Sequence, residues 1–201
     1  MVKDATDPSD SEQLVLDPKS LRGLAHPLRV RILGLLRIDG PSTATKLAER
    51  LGQSSGATSY HLRQLATYGF VVEDPERTGP GRERWWKALS HSTHLPWATA
   101  RESSADAEGY LRSIATWHYR QVETFLSELA TIPAAWDEGW ALSDSLLRLT
   151  PAEAKRLLRE LRGVVRRYRA DDPDTEAPKN AERVWIQLQL LPRFGPSAAA
   201  P

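Results

Sequence analysis

The chain has 201 residues, 40% of them hydrophobic and 26% charged, which is typical of a soluble protein with one average domain or two small ones. It has no cysteine, and this excludes a disulfide framework and a thiolate metal site. No apolar run approaches the roughly 20 residues of a membrane span, and the N-terminus lacks the apolar core of a signal peptide. We therefore expect a cytoplasmic protein without a membrane contact.

The formal net charge of +1 is unevenly distributed along the chain. Residues 1–17 hold one basic and five acidic side chains, whereas residues 18–90 hold twelve basic and six acidic ones. Residues 91–201 are nearly balanced, with fourteen basic and fifteen acidic side chains. The middle block is therefore the part of the chain that could attract a polyanion.

Two short helices are predicted after an acidic tail. Residues 1–17 are polar, acidic and contain proline, so we expect them to be disordered. Leucine and isoleucine then recur at helical spacing, but Pro27 interrupts the pattern. Because proline fits a first helical turn and breaks an interior one, the pattern predicts one helix near 18–25 and a second from about Pro27 to Arg37.

The next two helices are separated by a very short turn. Thr43 is a candidate N-cap of the first, and Gly52 follows its last apolar residue, at a position that favours a left-handed end. Ser54 is a candidate N-cap of the second helix, which runs to about Tyr68. Two helices joined by such a short turn are typical of a helix-turn-helix motif.

A β-hairpin is predicted after the fourth helix. Phe70 to Glu73 and Arg84 to Ala88 are rich in β-prone residues, and prolines and glycines fill the segment between them. Helix, helix, helix-turn-helix and two-stranded wing together predict a winged helix-turn-helix domain over residues 18–90.

A long helix is predicted beyond a linker at 91–103. It covers about 104–131, and its apolar residues are spaced by three and four positions, as in a coiled-coil seam. We take this seam as the candidate dimer interface, which consists of Leu111, Ile114, His118, Val122, Phe125 and Leu129.

The C-terminal part is predicted to form a small domain that, with the long helix, covers residues 104–194. Residues 141–149 could be a strand or a short helix, and a strand is favoured. Capping signals predict a helix over 150–169, and the alternation of apolar and polar residues in 184–190 predicts a half-buried strand. Residues 195–201 are predicted to be a flexible tail. The predicted fold class is therefore mainly α (α+β): a winged helix-turn-helix domain, a long helix and a small domain of helix plus strands.

Three segments carry a resemblance to a known family: LAHPLRVRILGLL, ATKLAERLGQSSGATSYHLRQLATYGFV and GPGRERWWKAL. Over residues 18–90 the chain resembles the DNA-binding domain of the ArsR-type bacterial transcriptional regulators, and the C-terminal part resembles extensions of such domains in actinobacteria. The resemblance implies DNA binding and repressor-like behaviour. Members that sense metals commonly use cysteine pairs, which this chain lacks, so metal sensing is not implied.

The helix at 54–68 is the predicted recognition helix. Thr58, Leu62 and Leu65 are expected to face the core, which leaves the opposite face to small and polar residues. No acidic residue occurs from Gly52 to Val72, whereas a solvated helix face, the alternative interpretation, usually mixes both signs. We therefore predict that this face reads the major groove through Ser54, Ser55, Gly56, Ser59, Tyr60 and Arg63.

Two further groups of residues are predicted to touch the DNA. The wing, about residues 73–86, carries arginines suited to phosphate or minor-groove contact, although it could also be a solubilising loop with Glu76 and Glu83 as local partners. Residues at the start of the first helix of the motif could touch backbone phosphates, although the pattern indicates this less strongly. The residues concerned are Arg77, Arg82 and Arg84 of the wing and Thr43, Thr45 and Lys46 of that helix.

Other candidate sites have simpler alternatives. His91 and His94 are too few to hold zinc, so neither a metal site nor a cofactor is predicted. The basic face of 150–169 is expected to be solvated. The chain has seven tryptophans, and aromatic residues could line a pocket for a small-molecule effector, although packing in a core or dimer interface is favoured. The candidate pocket residues are Tyr110, Trp117, Trp136 and Trp140.

The sequence as a whole predicts a homodimeric transcriptional regulator, a repressor, that binds a pseudo-palindromic double-stranded DNA operator. Two recognition helices would then lie about 34 Å apart, one turn of DNA. The alternative is a winged-helix module that binds protein instead of DNA, since fold does not fix function. No nucleophile elbow, phosphate-binding loop or zincin motif is present, so an enzyme is not predicted.

Overall fold

The computed structural model describes three stretches of the chain, residues 13–77, 83–171 and 176–193. The chain forms two compact units, residues 1–130 and 131–201, and each is described by itself. Residues 1–12 of the predicted N-terminal tail and the predicted tail at 195–201 lie outside the described residues.

Four helices open the first unit in the predicted order. They are α1 (Pro18–Leu24), α2 (Pro27–Ile38), α3 (Ala44–Leu51) and α4 (Ser55–Thr67). A side chain before each helix accepts a hydrogen bond from a backbone N–H of the first turn. The accepting residues, in helix order, are Asp17, His26, Thr43 and Ser54. Gly52 ends α3 in the left-handed region with φ of 63°, and α4 begins three residues later. The predicted break at Pro27 and the predicted helix-turn-helix motif are both confirmed.

Five strands complete the first unit: β1 (Gln13–Val15), β2 (Ser42–Thr43), β3 (Val71–Glu73), β4 (Trp85–Ala88) and β5 (Ser92–His94). Three of them form an antiparallel sheet in the order β2-β4-β3. The β3–β4 hairpin confirms the predicted wing, and β2 adds a third strand immediately before α3. This extra strand fixes the wing against the first helix of the helix-turn-helix motif.

The second sheet pairs β1 with β5 in parallel, and it corrects two predictions. Residues 13–17 are ordered and do not belong to a disordered tail, and residues 91–103 are more than a linker because they contain β5 and α5 (Trp97–Glu102). Both segments are held in place by the packing and hydrogen bonding of Leu16. Its side chain is fully buried in the core, and its N–H donates to the carbonyl of His94 at 2.8 Å.

The long helix α6 (Ser104–Glu128) is confirmed, and it ends in a 3-10 turn at Leu129–Thr131. It packs against α1, α2 and α5 and therefore belongs to the first unit. The predicted domain boundary at residue 104, which assigned this helix to the C-terminal part, is corrected. Although α6 has 25 residues, no described helix is long and apolar enough to cross a membrane. Its buried stripe consists of Ala107, Tyr110, Ser113 and Trp117.

One hydrophobic core joins the helices of the first unit to the wing. The apolar side chains that are at most 1% exposed come from the segment before α1, from every helix from α1 to α4 and from the residue before β3. They are Leu16, Leu21, Leu24, Ile32, Leu47, Leu62, Leu65 and Phe70. Because α4 contributes two of them, its orientation is fixed by the core, and its outer face is presented rigidly.

The second unit contains α7 (Pro151–Val165), which confirms the predicted helix but ends before residue 169. Its capping box is formed: Thr150 Oγ1 accepts from the N–H of Glu153 at 3.3 Å, and Glu153 Oε2 accepts from the N–H of Thr150 at 2.8 Å.

The strands predicted at 141–149 and 184–190 are not formed within the described part of the chain, and both predictions are corrected. A strand needs a hydrogen-bonded neighbour. Residues 141–149 make no backbone hydrogen bond with another described residue. The mainly helical fold class is confirmed, but the small C-terminal domain has its helix without its strands.

Candidate nucleic-acid interface

Helix α4 has an inner and an outer face, as predicted. Thr58, Leu62 and Leu65 are fully buried, which fixes the helix on the core. The outer face is exposed and free of acid, with the Tyr60 side chain 53% exposed. Its exposed members are Ser54, Ser55, Gly56, Tyr60 and Arg63, and Ser59 is half-buried beside them.

The N-terminus of α4 offers hydrogen-bond donors. Ser54 Oγ accepts from the N–H of Ala57 at 3.2 Å, and the carbonyl of Ser54 accepts from Thr58 Oγ1 at 3.0 Å. The Ser54 cap therefore uses one of the four backbone donors that a helix leaves open at its start. No β-carbon covers the backbone at Gly56, and a β-carbon built there would meet nothing within 4 Å. A ligand can approach the main chain closely at this point.

A cleft of about 360 Å³ lies between α3, α4 and the wing. It brings together residues from three predicted segments that are far apart in sequence. It is lined by Thr43, Ala44, Thr45, Ser59, Arg63, Glu83, Arg84 and Trp86. The predicted reading face of α4 and one wing arginine thus border the same concave surface.

The two threonines at the start of α3 have different environments. Thr43 is 1% exposed, and its hydroxyl caps α3 by accepting from the N–H of Lys46 at 3.4 Å. The predicted side-chain contact from Thr43 to DNA is therefore corrected, because pairing of β2 with β4 turns this side chain inward. Thr45 is exposed, and its hydroxyl donates to Glu83 Oε1 at 2.7 Å. Glu83 places one acidic group on a surface otherwise rich in cations.

The wing arginines are engaged with acids of the wing. Arg84 Nη1 lies 2.8 Å from Glu73 Oε1, and Arg77 Nε lies 3.5 Å from Asp74 Oδ2. These partners differ from Glu76 and Glu83, which the sequence suggested. The Arg84–Glu73 pair is exposed, and exposed ion pairs contribute about 0–1 kcal/mol, so a phosphate can replace Glu73 as the partner of Arg84. The Arg77–Asp74 pair is different, because the side chain of Asp74 is only 7% exposed. Arg82, the third predicted arginine, lies outside the described residues.

The sequence reasoning missed Trp85. Lys46 Nζ lies 4.4 Å from the centroid of its ring, and Arg77 Cζ lies 5.7 Å from it. The indole therefore holds a cation of α3 and a cation of the wing through cation–π contacts. Alternation along β4 could have given the signal, since Trp86 is buried and its neighbour must face the other side of the sheet.

Two histidine rings meet between the start of α2 and α4. The centroids of His26 and His61 are 4.4 Å apart, and Tyr60 contacts His61 edge to face at 5.2 Å. His26 Nδ1 caps α2 by accepting from the N–H of Leu28 at 3.1 Å. Burial is the largest cause that lowers the pKa of both histidines below the ordinary value of 6.5. The charge of Arg29 adds to it for His26, and the charges of His26 and then Arg29 add to it for His61. The pair therefore favours the neutral form of both rings.

The predicted dimer seam lies along α6 and is partly accessible. Leu111 and Leu129 are 49% and 42% exposed, and the other four members are half-buried. Leu111 also borders an apolar groove of about 430 Å³ between α5 and α6, next to Trp97, which is 68% exposed. Trp117 is part of the core, and Ile114 of the seam packs against the same core.

The four candidate pocket aromatics do not form one group within a unit. Tyr110 and Trp117 are 5% and 8% exposed and belong to the core of the first unit. The hydroxyl of Tyr110 lies 2.8 Å from Thr93 Oγ1, and burial raises the pKa of this tyrosine. Trp136 and Trp140 belong to the second unit. For Tyr110 and Trp117 the packing alternative is therefore the better interpretation. Within the described ranges, no group of three or more histidine, aspartate or glutamate side chains is placed to hold a metal ion.

Comparison with known proteins agrees with this geometry. Residues 24–74 match the helix-turn-helix domain family. The HTH-type transcriptional regulator NmtR of Mycobacterium tuberculosis, an ArsR-family regulator, is 42% identical over 67 residues, which make up 33% of this chain and 55% of that protein. The chain thus spans about 55% of the length of this curated relative.

Two solved structures are more distant. The apo form of a mutant of Lactococcus lactis ZitR is 18% identical with a TM-score of 0.31, over 72% of this chain and 84% of that one. The transcriptional regulator Tm0710 from Thermotoga maritima is 16% identical with a TM-score of 0.29, over 71% of this chain and 78% of that one. The family match and the similarity to NmtR identify the N-terminal region as a helix-turn-helix domain similar to those of ArsR-type regulators.

Proposed function

We propose that the chain is a homodimeric transcriptional regulator that binds a pseudo-palindromic DNA operator and acts as a repressor. The observation that carries the proposal is the exposed, acid-free outer face of α4 beside a cleft bordered by Arg63 and Arg84. The similarity to the HTH-type transcriptional regulator NmtR supports the same function.

In the proposed complex α4 enters the major groove, which is about 12 Å wide and admits one helix. Ser55, Gly56 and Ser59 let the backbone come close to the base edges, and Arg63 reaches further, to a guanine or a phosphate. Lys46 and Arg77, both held by the ring of Trp85, contact backbone phosphates beside the groove.

Dimerisation is proposed to occur through the exposed side of α5 and α6. The apolar groove between them and the exposed part of the predicted seam form a surface that a second copy would cover. A two-fold axis there would present two recognition helices to successive major grooves about 34 Å apart. The palindromic form of the operator follows from this symmetry.

Selection of bound sequences from a random DNA pool tests the proposal, followed by affinity measurements at two salt concentrations. We expect a two-fold symmetric site and an affinity that falls steeply with salt, since bound cations replace counterions on phosphates. Arg63→Ala and Ser59→Ala should change the sequence preference. Arg159→Ala is the matched control, because Arg159 is an exposed arginine of the second unit. Equal effects of Arg63→Ala and Arg159→Ala would contradict the assigned role of α4.

The competing function is a winged-helix module for protein contacts. A folded, dimeric chain that binds no DNA from the random pool at low salt would favour that module. Glu83 is the residue of the cleft that best fits this alternative, because its carboxylate, which accepts a hydrogen bond from Thr45, repels phosphate.

A further inference from the structure

The described part of the second unit lacks a core of its own. None of its described residues, from 131 to 171 and from 176 to 193, is buried. Leu146 is 86% exposed, and Leu142 and Leu147 are 65% and 59% exposed. Ordering a chain has a large entropic cost that only buried apolar surface can offset. This unit therefore needs a further surface to complete it.

The backbone around these leucines also has no hydrogen-bond partner among the described residues. Residues 141–149 form neither helix, turn nor bend, and none of them makes a backbone hydrogen bond with another described residue. An extended apolar segment with open N–H and C=O groups is a template on which another strand can be added. The surface that completes the unit is therefore expected to be a β-strand.

We infer that residues 142–150 pair with the same residues of a second copy, as antiparallel strands related by a two-fold axis at Leu146. In this register a residue that lies a given number of positions before Leu146 in one copy faces the residue that lies the same number of positions after Leu146 in the other copy. Asp144 of one copy then lies opposite Arg148 of the other, and symmetry repeats the pair. Opposite charges placed directly across an antiparallel pair stabilise it.

The self-complementary sequence makes a second copy the fitting occupant. The most exposed leucine, Leu146, would lie on the axis against its own equivalent, as an isologous contact requires. On the other face of the ribbon Leu147 of one copy would lie opposite Ser145 of the other, and Leu149 opposite Ser143, because side chains alternate along a strand. The two Leu147 side chains would be diagonal neighbours. The inference goes beyond the proposed function and does not depend on DNA binding.

Disulfide cross-linking tests the register. The chain has no cysteine, so an introduced cysteine is its one thiol. Leu146→Cys would face itself with the two Cα atoms about 4.5–5.5 Å apart, which suits a disulfide. Leu142→Cys, a leucine change in the same segment, is the control, because its two copies would be eight positions apart in register, about 27 Å. We expect a covalent dimer of the full chain for Leu146→Cys and none for Leu142→Cys. Equal yields for the two variants, or none for Leu146→Cys, would overturn the inference.

Charge reversal tests the cross-strand pair on the Leu146→Cys background. Asp144→Arg and Arg148→Asp should each lower the cross-linking rate several-fold, because each places like charges opposite one another. The double reversal should restore the rate, which a merely unfolded variant could not do. A double reversal that stays slow would overturn the inference. A second outcome would also overturn it. If Leu146→Cys and Ile186→Cys chains are mixed and the mixed disulfide forms faster than the disulfide between two identical chains, the partner strand is 183–191.

Discussion

The indole of Trp117 lies directly on Gly34, so closely that a β-carbon at Gly34 would be 2.9 Å from Trp117 Cζ2. The absent side chain is what allows α6 to pack on α2. Gly34→Ala should therefore lower the free energy of unfolding by about 1–3 kcal/mol through overpacking, partly offset by a gain of about 1 kcal/mol in helix propensity.

Thermal unfolding followed by circular dichroism checks this expectation. Gly163→Ala is the matched control, since Gly163 also lies within a helix but a β-carbon added there would meet nothing within 4 Å. It should leave the Tm unchanged or raise it. A Tm for Gly34→Ala equal to that of Gly163→Ala would mean that α6 can shift away from α2 at no cost.

Gly56→Ala should separate stability from DNA binding. A β-carbon at Gly56 meets no other atom, so the change should stabilise the helix by up to about 1 kcal/mol. If the backbone of α4 approaches base edges here, the added methyl group should reduce the affinity for the selected operator about tenfold, or about 1.4 kcal/mol. Parallel melting and binding titrations measure both effects, and unchanged affinity would place Gly56 outside the contact.

Lys46→Ala should weaken DNA binding without changing sequence preference. We expect the slope of log K against log salt to fall by about one, the value for one lost phosphate contact. Lys155→Ala, which removes an exposed lysine of the second unit, should leave the slope unchanged. Trp85→Leu should reproduce part of the Lys46→Ala effect, because it removes the ring that holds Lys46. If the slope stays the same in Lys46→Ala, this cation does not touch phosphate.

Leu111→Glu should break the proposed dimer. The substitution places a charge in the apolar groove of α5 and α6, where burial against a second copy would be costly. Sedimentation velocity should show a smaller weight-average sedimentation coefficient than that of the wild-type chain at the same concentration, because the contact through α5 and α6 is lost while pairing of residues 142–150 is unaffected. Thr116→Glu adds the same charge at an exposed position of α6 outside the predicted seam and should leave the dimer intact.

Acid should destabilise the first unit through the histidine pair. Burial lowers the pKa of His26 and of His61, so the unfolded chain binds more protons than the folded one at pH values near and below 6.5. The stabilising contribution is complete above 6.5 and is lost as the pH falls through the lowered pKa values. The Tm should therefore be nearly constant from about pH 8 to about pH 6.5 and fall as the pH is lowered further, towards about pH 5.5.

A variant with His26→Asn and His61→Gln checks the cause of this pH dependence. Asparagine keeps an acceptor for the N–H of Leu28, so the cap of α2 is preserved while both titrating rings are removed. The fall in Tm should become shallower. An equally steep fall would assign it to other groups, of which His118 is the first to consider because burial lowers its pKa too.

The helical part of the fold could be predicted because its signals are local. Pro27 and Gly52 mark helix ends wherever the rest of the chain goes, and the outer face of α4 follows from helical periodicity. The pairing of β1 with β5 could not be predicted, because residues about eighty positions apart meet and no local pattern encodes this. The same holds for the inward turn of Thr43 and the stacking on Trp85, which both depend on where β4 docks.

The parallel β1–β5 pair also has a mechanical meaning. Its strands join the chain just before α1 to the chain just after the wing, so the beginning and the end of the winged helix-turn-helix domain are tied together. A force that pulls the start of β1 away from the end of β5 loads all their backbone hydrogen bonds at once, in shear. The domain therefore resists stretching between its ends, and a displacement of α5 and α6 is passed to the segment before α1 as motion of one rigid body.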